Sequence, residues 1–254
     1  MGKRYPPHAV NVDALEKACT MPETRYIIKT MGKDNFKDKK ILDVGCGCGE
    51  ASVYFAKQGA CVTASDISSG MVDLAVKVAE YHNVKIDSVV CSAEELPFED
   101  NSFDIVYAAN VLHHVDIKKA LSEIKRVLKK DGIFIAWDPL KYNPAIKLYR
   151  RLANGVRTVD EHPLDIEYLR QVKNNFNDVT NKGFWFLTNL IFVKYFFINR
   201  LNPSKVRYWK KVVDDADNIK NLYIPLEKID KFLLKVFPFL KWLCWNMVVM
   251  GRKG

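Results

Sequence analysis

The chain of 254 residues, 48% hydrophobic and 27% charged, is long and apolar enough to bury a substantial core and too hydrophobic to stay disordered. Lysine and arginine exceed aspartate and glutamate by 39 to 30, a net charge of +9, which favours anionic partners without naming one. The opening MGKRYPPHAV breaks any apolar run at Pro6, Pro7 and His8; no secretory signal is expected there, and the cytoplasm is the expected location.

Short apolar runs alternate with helical patterns through the middle of the chain. KILDV, from Lys40, is a strand, followed by the glycine turn GCGCG and a helix ASVYFAKQG that stops at Gly59. ACVTASD is a second strand ending at Asp66, and SSGMVDLAVKVAEYHN a second helix capped by Ser68 or Ser69. VKIDSVVCS and SFDIVYAAN are the third and fourth strands, DIKKALSEIKRVLKKDG an amphipathic helix, and GIFIAWDP the fifth strand. This alternation predicts an α/β fold, an open doubly wound sheet with its ligand crevice at the carboxyl ends of the strands.

A strand, a glycine turn and a helix bring backbone close to a ligand, and a side chain at Gly45, Gly47 or Gly49 would obstruct that approach. Cys46 and Cys48 alternate with those glycines, yet the six cysteines (19, 46, 48, 61, 91 and 244) form no C-x-x-C pair and have no clustered histidines. They read as small fillers and free thiols, with no metal site. Asp66 lies 23 residues after Asp43, the spacing of an acid that accepts ribose hydroxyls; its alternative role is to cap the next helix.

The motifs ILDVGCGCGE, VTASDIS, CSAEELPFEDNSFDIVYAANVLHHV and EIKRVLKKDGIFIAWDP, spread over roughly residues 23 to 140, resemble the Rossmann-like class of S-adenosylmethionine-dependent methyltransferases. The branch they are most similar to is that of the ubiquinone and menaquinone biosynthesis methyltransferases. The order G-x-G-x-G differs from the G-x-G-x-x-G of dinucleotide dehydrogenases. The resemblance implies S-adenosylmethionine as cofactor and S-adenosylhomocysteine as product. Asp43, Gly45, Cys46 and Gly47 then line the methionine end, Asp66 the ribose, and Ile67 the adenine face. Ser92 and Ala93 stand where relatives carry Asp-Ala, and Asn110 approaches through its backbone. PETRYIIKTMG resembles a helix that closes over the cofactor, which would direct Glu23, Arg25 and Tyr26 to its amino-acid end, with a solvated amphipathic helix as the equal alternative; Arg25, Tyr26 and Trp137 are the candidate substrate contacts.

The expected layout is one domain: a helical cap at 1–38, a core at 39–187, an inserted lid at 188–240 and a last strand at 241–254. The sheet is expected to be seven-stranded and mostly parallel, with an antiparallel last strand and a helical, aromatic cap inserted before it. DIEYLRQVKNNF is the helix before a sixth strand, NDVTNKGFWFLT, and LCWNMVVMGRK is the last strand.

Methyl transfer needs alignment and exclusion of water, and a general base only for a hydroxyl, amide or carbon acceptor. The candidate bases are His113 and His114, at the end of the fourth strand, and His162, in RTVDEHPL beside Asp160 and Glu161, where a capping turn with Pro163 in the first helical turn is the plain alternative. From Lys182 to Val213 there are seven Lys/Arg, no acids and many aromatics. Three uses compete for it: core packing with a basic rim, a lid over a lipophilic or anionic small molecule, and peripheral contact with an anionic membrane through 184–211. Nucleic acid is the less favoured partner, because Ala108-Ala109-Asn110-Val111 lacks the Asn/Asp-Pro-Pro-aromatic tetrad of amino-methylating nucleic-acid enzymes. The expected function is therefore methylation of a small molecule, with an RNA methyltransferase or an inactive cofactor-binding scaffold as alternatives.

Overall fold

The computed structural model describes residues 6–15, 21–152 and 162–254. After short turns at Pro7–Ala9 and Val12–Leu15 come α1 (Pro22–Met31), β1 (Lys40–Val44), α2 (Glu50–Lys57), β2 (Cys61–Asp66), α3 (Ser69–Tyr81), β3 (Asp87–Val90) and β4 (Phe103–Ala109). Then follow α4 (Ile117–Val127), β5 (Leu128–Pro139), α5 (Pro144–Leu152), α6 (Ile166–Asn175) and β6 (Asn177–Phe184). A cap of α7 (Leu190–Val193), α8 (Tyr208–Asp214) and α9 (Ala216–Val236) precedes β7 (Asn246–Arg252).

The seven strands lie in the order β3-β2-β1-β4-β5-β7-β6. The first five are parallel, and β7 runs antiparallel between β5 and β6. Ile41 to Val44 are buried without alternation, as expected of a central parallel strand covered on both faces. Leu42, Val106 and Phe134 pack on one side with Leu121, Ile124 and Val172 of α4 and α6. Ile41, Tyr107 and Ile135 pack on the other with Ile27, Phe55 and Val78 of α1, α2 and α3.

Boundaries differ from the sequence expectation where tertiary contacts decide them. The helix expected through Gly132 ends at Val127, because Leu128 is fully buried and pairs with Phe103, drawing the following residues into β5. The third strand shortens to Asp87–Val90, an edge strand paired only with β2. The sixth ends at Phe184, because Trp185 turns the chain away with φ of +64°. Ser68 holds the N-cap position of α3 without a side-chain bond, and its own N–H donates to Asp66 at 2.9 Å. The start of α6 is capped by Asp165, which accepts from the amides of Glu167 and Tyr168, so Pro163 precedes the helix rather than entering its first turn. Asp160, Glu161 and Cys19 lie outside the described residues.

The cap has a core of its own. Trp185, Phe192, Tyr195, Tyr208, Val212 and Tyr223 bury one another. Asp230 of α9 pins this unit to the end of β6 by accepting from the backbone of Phe186, Leu187 and Thr188 and from the Thr188 hydroxyl. Arg25 of α1 forms an ion pair with Glu227 of α9. Since Pro139 and Phe184 both pair with Asn246, the cap leaves and re-enters the sheet at the edge where the parallel strands end. Among the described residues, no helix is long and apolar enough to cross a membrane.

Candidate functional site

The order β3-β2-β1-β4-β5 puts the topological switch between β1 and β4, where successive connections leave in opposite directions and open a crevice at the strand ends. The loop 45–49 fills the β1 side of it. The Cys46 amide donates to the Ser65 carbonyl at 2.8 Å and the Gly47 amide to Asp66 Oδ2 at 3.0 Å. Asp66 therefore holds the glycine loop and the first turn of α3 together.

Two glycines are required for different reasons. Gly45 has φ of +69°, and a Cβ there would stand 2.6 Å from Val111 Cγ2, so the loops after β1 and β4 touch only because no side chain intervenes. Gly47 has φ of +52°, and its Cβ would meet nothing within 4 Å, so open space lies where a side chain would stand. Ile67, beside Asp66, is 77% exposed, an apolar surface offered at the rim instead of packed inside.

The electrostatics of the loop favour a cation. Asp43 is buried, accepts from Ser52 Oγ at 2.5 Å, and is pushed up to about 7, first by burial and then against the charges of Glu50 and Asp66. Glu50 is raised by burial as well. Three carboxyl groups crowded round one loop are relieved by a positive ligand. The thiols contribute no charge: burial, with Asp43 and Asp66, pushes Cys46 far up, and burial raises Cys48 to about 11. Both are free and stay protonated at neutral pH, a poor state for a nucleophile or metal ligand. Among the described residues, no group of three or more His, Cys, Asp or Glu is placed to hold a metal ion.

On the β3 and β4 side, Ser92 accepts the Glu94 amide at 3.1 Å and Ala93 is buried. Asn110 turns the chain at φ of +58° and donates its amide to the Trp137 carbonyl at 2.7 Å. Trp137 is half-buried, with its indole N–H on the Tyr107 hydroxyl at 3.0 Å.

The three histidines meet at the end of β4. His113 is 4% exposed, and both its Nδ1, at 2.7 Å, and its amide are held by Asp138 Oδ1. The His114 ring lies 3.9 Å from the His113 ring and is exposed. The amide of His162 donates to the His113 carbonyl at 2.7 Å, and its side chain is exposed. Asp138 was not among the sequence candidates; its signal was a carboxylate closing the otherwise apolar strand GIFIAWDP. Burial raises its carboxyl, and its Oδ2 has no hydrogen-bond partner among the described residues.

Of the residues expected at the cofactor's amino-acid end or on the substrate, Arg25 is turned toward the cap and Tyr26 toward the end of β6. Arg25 pairs with Glu227, while Tyr26 packs on Phe184 at 5.6 Å and beneath the Lys182 ammonium. Glu23 of the same helix points inward, accepting from Asn246 Nδ2 at 2.6 Å. The physical reason is helical spacing: α1 buries Glu23, Ile27 and Ile28 against the sheet, which leaves its other side to the cap.

Residues 42–136 match the family described as a methyltransferase domain. Over those residues the chain carries a methyltransferase domain. The methyltransferase domain is 36% identical over 128 residues to the demethylmenaquinone methyltransferase of Renibacterium salmoninarum, an alignment covering 50% of this chain and 52% of the relative. The crystal structure of the YcgJ protein of Bacillus subtilis superposes with a TM-score of 0.58 at 20% identity, over 96% of this chain and 99% of that one. Geranyl diphosphate C-methyltransferase from Streptomyces coelicolor, solved with Mg2+, geranyl diphosphate and S-adenosylhomocysteine, superposes at 0.60 and 16% identity, over 91% and 76%. These two structures share the fold with this methyltransferase domain. The chain spans about half the length of the curated relatives it matches.

Proposed function

We propose that the protein is an S-adenosylmethionine-dependent methyltransferase whose acceptor is a small molecule with a lipophilic or anionic part. The observation that carries this reading is the loop 45–49, pressed against Val111 at Gly45, open at Gly47, tied to Asp66 and ringed by Asp43 and Glu50. That donor set suits a ligand with hydroxyls and positive charge. The cofactor bound there supplies a methyl group activated by a cationic sulfur. Asp66 would hold its ribose, Asp43, Gly45, Cys46 and Gly47 the amino-acid end, Ile67 the adenine face, and Ser92, Ala93 and Asn110 the remaining rim.

The protein's own task is alignment and exclusion of water. Asp138 holds the His113 imidazole through Nδ1, and the ring is buried, so His113 positions the rim. His114 and His162, both exposed beside it, are the groups open to a proton from an acidic acceptor. An apolar cleft of about 140 Å3, between the start of α5 and the cap and lined by Pro144, Phe186, Leu190, Val193 and Leu243, supports a lipophilic substrate. The end of β4, Ala108-Ala109-Asn110-Val111, lacks the Asn/Asp-Pro-Pro-aromatic tetrad, which supports a small molecule over RNA.

Calorimetric titration with S-adenosylmethionine and S-adenosylhomocysteine tests the reading. Saturable binding of both is expected, and absence of both ends it. With a labelled methyl donor and a cell extract, label is expected in the organic-soluble fraction; label in RNA overturns the small-molecule assignment. His114→Ala or His162→Ala is expected to lower kcat by about 10²-fold or more if that residue is the base, leaving S-adenosylhomocysteine affinity unchanged.

A further inference from the structure

We propose that the outer face of α9 and the turn that follows it form a docking surface for anionic lipid bilayers. Leu222, Pro225, Ile229, Phe232 and Val236 recur at intervals of three and four residues, the spacing of one stripe along a helix, and all five are exposed. Phe239 extends the stripe past the helix end; it is 66% exposed and Phe232 65%. From Leu222 to Val236 the stripe is about 20 Å long at 1.5 Å per residue. Single exposed apolar residues are ordinary, but a continuous stripe with aromatic side chains is not.

A second stripe, of lysines, runs beside the first. Lys228 and Lys235 are exposed, as is Lys231, and Lys241 follows in the turn. Between residues 228 and 243 the one acid is Asp230, which is 5% exposed and consumed by the backbone of residues 186–188. Glu227, at the margin, is shared by Arg25 and Lys231. From Lys228 to Leu243 the accessible charge beside the apolar stripe is therefore positive. An interfacial helix has this arrangement, with apolar side chains entering the acyl boundary and lysines meeting anionic headgroups. A two-fold dimer with antiparallel helices packed through the same stripe would lay each lysine row against its own copy, whereas anionic headgroups neutralise the row, so charge complementarity favours the bilayer over such a pair.

The surface is distinct from the 184–211 run, whose Trp185, Phe192, Tyr195 and Tyr208 are buried in the cap. Because the cap joins the sheet at the strand ends, docking through α9 would hold the crevice near a bilayer, where a lipophilic acceptor concentrates. That consequence rests on the proposed function; docking itself does not.

The full chain is mixed with vesicles of neutral phosphatidylcholine or of phosphatidylcholine containing phosphatidylglycerol, and the bound fraction is measured by flotation. Binding is expected to the anionic vesicles and to weaken in high salt. Lys228→Gln and Lys235→Gln should each weaken it about fivefold. Phe232→Ser with Phe239→Ser should reduce binding at least tenfold, with circular dichroism and S-adenosylhomocysteine binding unchanged as proof of an intact fold. The proposal is overturned if the chain floats with neither vesicle, or if the two phenylalanine substitutions leave flotation intact. It is also overturned if the chain sediments as a dimer that those substitutions dissociate. Loss of methyl transfer with flotation preserved would count against the proposed function and leave docking standing.

Discussion

A Cβ at Gly45 has nowhere to go: Val111 Cγ2 would lie 2.6 Å away, and the backbone is in the left-handed region. Gly45→Val is expected to abolish S-adenosylhomocysteine binding in calorimetry. The double change Cys46→Ala and Cys48→Ala should keep it within a few-fold, since burial holds both thiols protonated. Asp66→Ala removes an acceptor that serves the Gly47 and Ser68 amides, and affinity should fall roughly 10- to 100-fold. Asp43, the glycines and Asp66 were legible in the sequence because chain-local spacing sets their geometry. The bond from His113 to Asp138 was not, because its partners are 25 residues apart and meet only through the pairing of β4 with β5.

At the scale of elements, α1 shows how one helix serves two neighbours. Its inward Glu23 is held up to about 7, from an ordinary 4.5, chiefly by burial against the weaker pull of its bond with Asn246. Between those pH values the folded chain keeps a proton that the unfolded chain has released. Stability therefore falls as pH rises from about 4.5 to about 7. Glu23→Gln keeps an acceptor for Asn246 without a charge. It should match the parent near the lower end of that window and exceed it at pH above the window, by on the order of 2 kcal/mol, measured by urea unfolding. Asp43 titrates in the same direction, so the slope with pH should shrink without vanishing; an unchanged slope would refute the assignment. The amphipathic period told that PETRYIIKTMG is a helix; which neighbour its polar side meets depended on where the inserted cap folds back.

Over the whole molecule, two cores flank the sheet and a third lies within the cap. A ligand bound at the strand ends ties α2 and α3 to β4, the heart of the first two. At a hundredfold excess over Kd, S-adenosylhomocysteine should stabilise the chain by about 2.7 kcal/mol and raise Tm by roughly 5–10 °C. Hydrogen exchange should show the added protection in residues 41–136 more than in α9; protection confined to α9 would place the ligand elsewhere.

The sequence by itself determined the strand-and-helix alternation, the glycine loop and the acid after the second strand. Each depends on neighbours a few residues apart and on hydrophobic period. Only the tertiary structure decided the rest: that α4 yields to β5 at Leu128, that Arg25 meets the cap while Tyr26 packs on β6, and that Asp138 holds His113. It also decided which aromatics of the basic segment are buried and which of α9 stay outside. Burial in those cases is fixed by segments distant in the chain, and a residue's own period says that it has an apolar side without saying what, if anything, covers it.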